Sequence, residues 1–351
     1  MSRAQRKQDH ITHALATGFA GTSSYDDLRF VHNSLPGSSV DNISYTTNVG
    51  GLSLSSPIII NAMTGGGGET TESINQMLAQ AAKATNTAMA VGSQMSAIKD
   101  PAEAASYQIV RRENPEGVIF ANLGSEATPQ QAVQAVDMIE ADALQIHLNV
   151  IQELVMPEGD RNFAGAFDRI KAVRQSLDIP IIVKEVGFGM SAEAFQTLEE
   201  AGITVIDTGG SGGTNFSAVE NSRRESKWSF FDQWGISSAA AVAESSFVHK
   251  KADIIGSGGI RHALDAAKAI ALGASAVGIA GKVLEAVHEN GSEGGAAYLN
   301  AVLEQLTYIM AAVGAENISA LQRTPLVLSG ETAHWLKERG FDTKSYAARV
   351  K

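Results

Sequence analysis

The sequence predicts a single (β/α)₈ (TIM) barrel with an N-terminal extension, on three observations. Short apolar runs rich in Ile and Val, bounded by Gly, Pro, Asn or Asp, recur eight times along the chain. Amphipathic stretches separate them, and the alternation repeats every thirty residues or so, roughly the length of one βα unit with its right-handed crossover. Eight such units most often close into a barrel. An open doubly wound sheet would place a GxGxxG turn after its first strand, where this chain has Asn61-Ala62-Met63-Thr64-Gly65-Gly66-Gly67-Gly68 instead.

Taken in order, the strands are expected at 57–61, 87–91, 117–122, 143–148, 180–184, 204–207, 252–256 and 276–279, each reading as a buried parallel strand. Helices are expected at 71–85, 129–140, 163–177, 192–201 and 263–272. Residues 1–50 hold turn-rich pieces such as Leu35-Pro36-Gly37 and Asn48-Val49-Gly50-Gly51. They read as an extension packed on the barrel, its basic start free to reach a site. The longest connection, 208–235, runs through Gly209-Gly210-Ser211-Gly212-Gly213-Thr214-Asn215-Phe216 and is expected to form a lid. Barrels of this type use such a length of chain as one unit, so residues 1–351 are read as one domain.

With 44% hydrophobic and 19% charged residues the chain can bury a large core. A net charge of -11 argues against non-specific binding to nucleic acid and leaves room for a local basic pocket, so a small-molecule partner is expected. The absence of cysteine excludes disulfides, thiolate zinc sites and a cysteine nucleophile. The polar N-terminus has no apolar targeting core, and no run approaches the ~18 apolar residues of a membrane span. A cytoplasmic protein without a membrane partner is the expectation.

Barrels of this class carry their sites at the C-terminal strand ends. Here those ends are polar or glycine-rich throughout, including Gly92-Ser93-Gln94, Asn122-Leu123-Gly124, His147-Leu148-Asn149 and Lys184-Glu185. Gly256-Ser257-Gly258-Gly259-Ile260-Arg261 after strand seven and Gly278-Ile279-Ala280-Gly281 after strand eight offer backbone N–H groups without side chains in the way, the usual place for a phosphate. Lys184 ends an apolar strand and needs an anionic partner, for which a reduced flavin, negative at N1 and C2=O, is one suitable group. Thr64, Ser93 and Asn122 offer hydrogen bonds to the polar edge of such a ring, or serve as turn and cap residues.

Strand four is the most informative segment. Alternation puts Gln145, His147 and Asn149 on one face and Leu144, Ile146 and Leu148 on the other, so the polar set should point into the barrel. Asn149, Gln152 and Glu153 share a face if the following loop takes a helical turn. One carboxylate among neutral oxygen donors suits Mg²⁺. At the N-terminus Arg6-Lys7, followed by His10, form a basic group able to meet a phosphate or simply water.

Together Arg6-Lys7-x-x-His10, Asn61-Ala62-Met63-Thr64-Gly65-Gly66, Gly92-Ser93-Gln94, Asn122-Leu123-Gly124, His147-Leu148-Asn149-x-x-Gln152-Glu153, Val183-Lys184-Glu185-Val186-Gly187, the run from Gly210 through Ser211 to Thr214, and Gly258-Gly259-Ile260-Arg261 resemble the type 2 isopentenyl diphosphate isomerases. The resemblance implies FMN contacts from Ala62, Met63, Thr64, Ser93, Asn122, Lys184, Ser211, Thr214, Gly258, Gly259, Ala280 and Gly281. It implies diphosphate binding by Arg6 and Lys7, substrate contact by Gln152 and Mg²⁺ ligation by Glu153; His10, Ser93, Gln94 and Asn149 are also expected to bind substrate. It further implies FMN reduced by NADPH, a cytoplasmic homotetramer or homo-octamer, and reduced FMN as the acid and base of a 1,3 proton shift; His147 and Gln152 are expected to orient the reacting groups. An FMN barrel oxidising a 2-hydroxy acid is the alternative. That class uses a His-x-x-Arg type pair late in the barrel, where residues 209–214 contain no histidine. A non-catalytic flavoprotein or phosphate-binding scaffold is a further reading.

Overall fold

A computed structural model of the chain describes residues 23–349. Eight parallel strands close into a barrel: β1 (Ile58–Ile60), β2 (Ala88–Ala90), β3 (Ile119–Gly124), β4 (Ala143–Leu148), β5 (Ile181–Glu185), β6 (Val205–Asp207), β7 (Asp253–Ser257) and β8 (Ala276–Ile279), with β8 pairing back onto β1. Each falls on an expected segment; β3 runs on to Gly124, and β5 and β7 each end one residue later than expected.

The period of two sorts the strands into layers. Ile59, Ala88, Ala90, Phe120, Ala143, Ile182, Val205, Ile255 and Ala276 form an apolar layer inside the barrel, while Ile58, Ile60, Ile181, Val183 and Ile206 pack against the helices. One step further toward the C-terminal mouth, the same inward face carries Asn61, Asn122, Gln145, Lys184, Asp207 and Ser257, every one buried. The strand pairing aligns these side chains, with Asn122 opposite Gln145, His147 opposite Lys184, and Lys184 opposite Asp207. Thus the barrel is dry in its lower half and polar directly beneath its mouth.

The N-terminal extension supplies a plug. Strands Thr47–Val49 and Leu52–Leu54 form an antiparallel hairpin whose Val49 and Leu54 join the inner apolar layer. The Gly50 N–H donates to Asp253 Oδ2 at 2.8 Å, fixing this turn against the start of β7.

Two crossover helices lie outside the expected set. The first is Ala105–Glu113. The second, Ser238–Val248, is built of small and apolar residues and is buried over most of its length, so it lacks the polar stripe that marks a surface helix. Beyond the barrel, helix Gly281–Val313 breaks at Asn290 and Gly291, and strand Leu326–Leu328 returns to pair antiparallel with Leu28–Phe30. The connection 208–235 contains helix Phe216–Asn221 and a 3₁₀ turn at Ser229–Phe231. Asp232 ties it together, accepting from Ser217 Oγ at 2.8 Å and Asn221 Nδ2 at 2.9 Å, while Arg224 reaches across to the Val155 carbonyl at 2.7 Å.

Candidate active site

A cavity of about 1620 Å³, measured out to its solvent-open mouth, occupies the C-terminal end of the barrel. Of the residues singled out in the sequence, Ala62, Met63, Thr64, Ser93, Asn122, His147, Asn149, Gln152, Glu153, Lys184, Thr214, Gly258, Gly259, Ala280 and Gly281 all line it. Arg6, Lys7 and His10 lie outside the described residues.

One end of the cavity is a backbone cradle. Gly258 and Gly259 have φ of 99° and 72°, the left-handed side that favours glycine. A Cβ on either would run into the carbonyls of Gly210 or Gly212, so the two loops touch through bare backbone. Ala280 opens helix Gly281–Val313 beside them, adding unpaired N–H groups of a helix start. This fits a phosphate, and it fits a ligand that the side chains do not grip there.

The floor is a continuous polar network. The Asp207 carboxylate accepts from Asn61 Nδ2 at 2.7 Å, from the Gly209 N–H at 3.1 Å and from Ser257 Oγ. Asn61 Oδ1 accepts from Gln145 Nε2 at 3.1 Å, and Gln145 Oε1 from Asn122 Nδ2 at 3.2 Å. The Asn122 side-chain oxygen then accepts from His147 Nδ1 at 2.8 Å, so that nitrogen carries a hydrogen. Lys184 Nζ donates to the Glu185 carbonyl at 2.7 Å and stands 3.8 Å from Asp207 Oδ2. The anionic partner that Lys184 requires is therefore already present in the protein, where the sequence pointed to a ligand. Asp207 itself went unread, although its place at the end of β6, level with Lys184, was the available signal.

The far side belongs to the turn after β4. Asn149 follows β4 directly and precedes helix Val150–Val155, and its amide reaches Gln152 Oε1 at 3.3 Å and Glu153 Oε1 at 3.0 Å. These three side chains thus share one face of a helical turn. Glu153 Oε2 accepts from the Asp160 N–H at 2.8 Å, and Gln152 Nε2 donates to the buried Glu220 Oε1 at 3.1 Å. Glu220, from the connection after β6, is a second buried acid that sequence reading missed. Among the described residues no three His, Cys, Asp or Glu side chains gather as a preformed metal site.

Two of the expected site residues lie off the cavity. Gln94 is fully buried and does not line the cavity; its amide donates to the Ala135 carbonyl at 2.9 Å and its Oε1 accepts from the Asn122 N–H at 3.0 Å. It braces the β3 wall and has no surface to offer a substrate. Ser211 also lies off the cavity, its backbone bridging to Ile236 and Ser238 so that the loop after β6 is held in place. Thr64 does line it, although its hydroxyl donates to Asn75 Oδ1 at 2.7 Å.

The chain is 56% identical over 349 residues to the isopentenyl-diphosphate delta-isomerase of Geobacillus sp. (strain WCH70), covering 99% of this chain and all of that protein. The chain belongs to the isopentenyl-diphosphate delta-isomerase family. The corresponding proteins of Bacillus licheniformis and Bacillus pumilus are 55% and 52% identical, each over at least 99% of both chains. Residues 110–328 match the model of the FMN-dependent dehydrogenase family. Solved structures that superpose include a lactate oxidase of Pediococcus acidilactici, with TM-score 0.68 and 16% identity over 93% of this chain and 94% of that one. A flavocytochrome B2 variant gives TM-score 0.69 and 15% identity, over 92% and 83%. At such identities they speak for the barrel alone. His147, on β4, is the one histidine lining the cavity among the described residues.

Proposed function

We propose that this chain interconverts isopentenyl and dimethylallyl diphosphate by a 1,3 proton shift, with FMN held in the barrel mouth. The observation that carries this reading is the meeting, in one cavity, of a backbone phosphate cradle and the Asn149, Gln152 and Glu153 face opposite it. The donors fit FMN. Gly258, Gly259, Ala280 and Gly281 would take its phosphate; Lys184, with Asn122 and Ser93, would meet the polar edge of the ring. Once bound and reduced, FMN would supply the acid and base of the shift and an electron-rich face for transient positive charge.

The remaining work falls to side chains. Gln152, held by Glu220, would keep its amide in place for the substrate, and His147 is fixed in orientation by the Asn122 side chain. Glu153 would hold Mg²⁺ together with the substrate's own phosphate oxygens, which accords with a lone carboxylate rather than a closed metal cage. Arg6, Lys7 and His10 would complete the diphosphate site, and residues 208–235 would act as its lid. We also propose NADPH as the source of reducing equivalents, a cytoplasmic location and a homotetramer or homo-octamer. No helix among the described residues is long and apolar enough to cross a membrane.

The test is proton NMR of isopentenyl diphosphate in deuterated buffer with the anaerobically reduced, FMN-loaded protein. Formation of the dimethylallyl isomer without stoichiometric reductant is expected; its absence, or oxygen uptake coupled to substrate loss, would sink the proposal. Titration with the diphosphate should weaken on removal of Mg²⁺ and in Arg6→Ala or Lys7→Ala, with FMN content unchanged.

A further inference from the structure

Lys184 is the sole Lys or Arg lining the cavity among the described residues, and the protein sets a carboxylate behind it. Asp207 is fully buried and does not line the cavity. The Asn61 amide, the Gly209 N–H and the Ser257 hydroxyl all donate to its oxygens, which leaves the carboxylate no freedom to turn. Strands β5 and β6 place Asp207 level with Lys184, so the pairing is a consequence of barrel register rather than of a flexible contact. Two buried charges 3.8 Å apart in such a site sense each other strongly, and removing either leaves the other uncompensated.

We propose that Asp207 is a positioning residue that holds the Lys184 ammonium at the floor of the FMN site and offsets its charge, keeping the reduction potential of bound FMN below the value an unpaired ammonium would set. The inference rests on the FMN reading given above. A lone cation under the ring would favour the reduced, more negative cofactor and draw electron density from it. The offset keeps the reduced ring electron-rich, which suits a reaction passing through positive charge.

Redox titration of the FMN-loaded protein tests this. Asp207→Asn should favour reduced over oxidised FMN about tenfold, a rise of about 30 mV for a two-electron couple. Lys184→Met should lower the potential, and Lys184→Met/Asp207→Asn should bring it back toward the starting value. A potential unchanged in Asp207→Asn overturns the proposal. So does a double variant indistinguishable from Lys184→Met, a comparison that decides the matter by itself if Asp207→Asn does not fold. A purely structural role for Asp207 would lower FMN content without moving the potential of the FMN that stays bound. Absence of FMN absorbance from the unmutated protein would overturn the cofactor reading and this proposal together, whereas bound FMN with an unmoved potential overturns this proposal alone.

Discussion

The Gln152 amide donates to Glu220 at 3.1 Å, and Glu220 in turn accepts from Arg223 at 2.5 Å, so the turn after β4 is oriented by the connection after β6. Glu220→Ala frees the Gln152 side chain without touching the FMN cradle. We expect kcat/KM to fall about 100-fold, the scale of a small misplacement of a reacting group, with FMN content unchanged. Steady-state turnover beside the visible absorbance of bound flavin checks it. Loss of flavin in step with activity would mean that Glu220 supports the fold rather than the orientation of Gln152.

Gln94 should behave as a wall residue. Gln94→Leu strips the buried Asn122 N–H of its acceptor, which costs about 1–3 kcal/mol. Thermal unfolding should show that loss, and KM for the diphosphate should hold. A raised KM at unchanged melting temperature would restore Gln94 to the substrate site.

Gly259→Ala meets both a left-handed backbone and the Gly212 carbonyl. The strain alone is roughly 1–3 kcal/mol. Because the clash pushes apart the loops that form the cradle, we expect weaker FMN retention on dilution, with the far-ultraviolet spectrum preserved. Retention equal to the parent protein's would mean that the phosphate binds elsewhere.

Burial pushes the Glu185 carboxyl up to about 8, although N–H groups of Phe188 and Gly189 and the nearby Lys184 pull the other way. Its folded value thus lies above its unfolded one. Between about 4.5 and 8 the folded chain binds more protons at this residue, and its contribution to stability falls as pH rises through that window. Melting curves of Glu185→Gln should show a flatter decline over that range than those of the parent protein. Parallel declines would place the Glu185 value near the ordinary carboxylate range.

These variants also mark what was legible in the chain. The eight strands were readable because each is a short, buried and mostly apolar run bounded by turn residues, and the inward face of β4 because Gln145 and His147 alternate with leucine and isoleucine. Gln94 read as a site residue because a polar side chain at a strand end looks the same whether it faces a cavity or braces a wall. Asp207 and Glu220 were passed over because each is a lone acid whose meaning lies in partners far away in sequence, Lys184 and Gln152. Helix Ser238–Val248 escaped because it is buried on nearly every side and so shows no amphipathic period.

The pairing of Leu28–Phe30 with Leu326–Leu328 joins segments some three hundred residues apart, and Ser329 and Thr332 donate to Asp27 beside it. The same N-terminal turn supplies Tyr25, whose carbonyl accepts from buried Lys268, and Asp26, which meets Arg261 next to the glycine cradle. During synthesis this turn gains its last partners only when the final stretch of chain emerges. C-terminal truncation at residue 325 removes those partners and should leave a closed barrel with a loosened cradle.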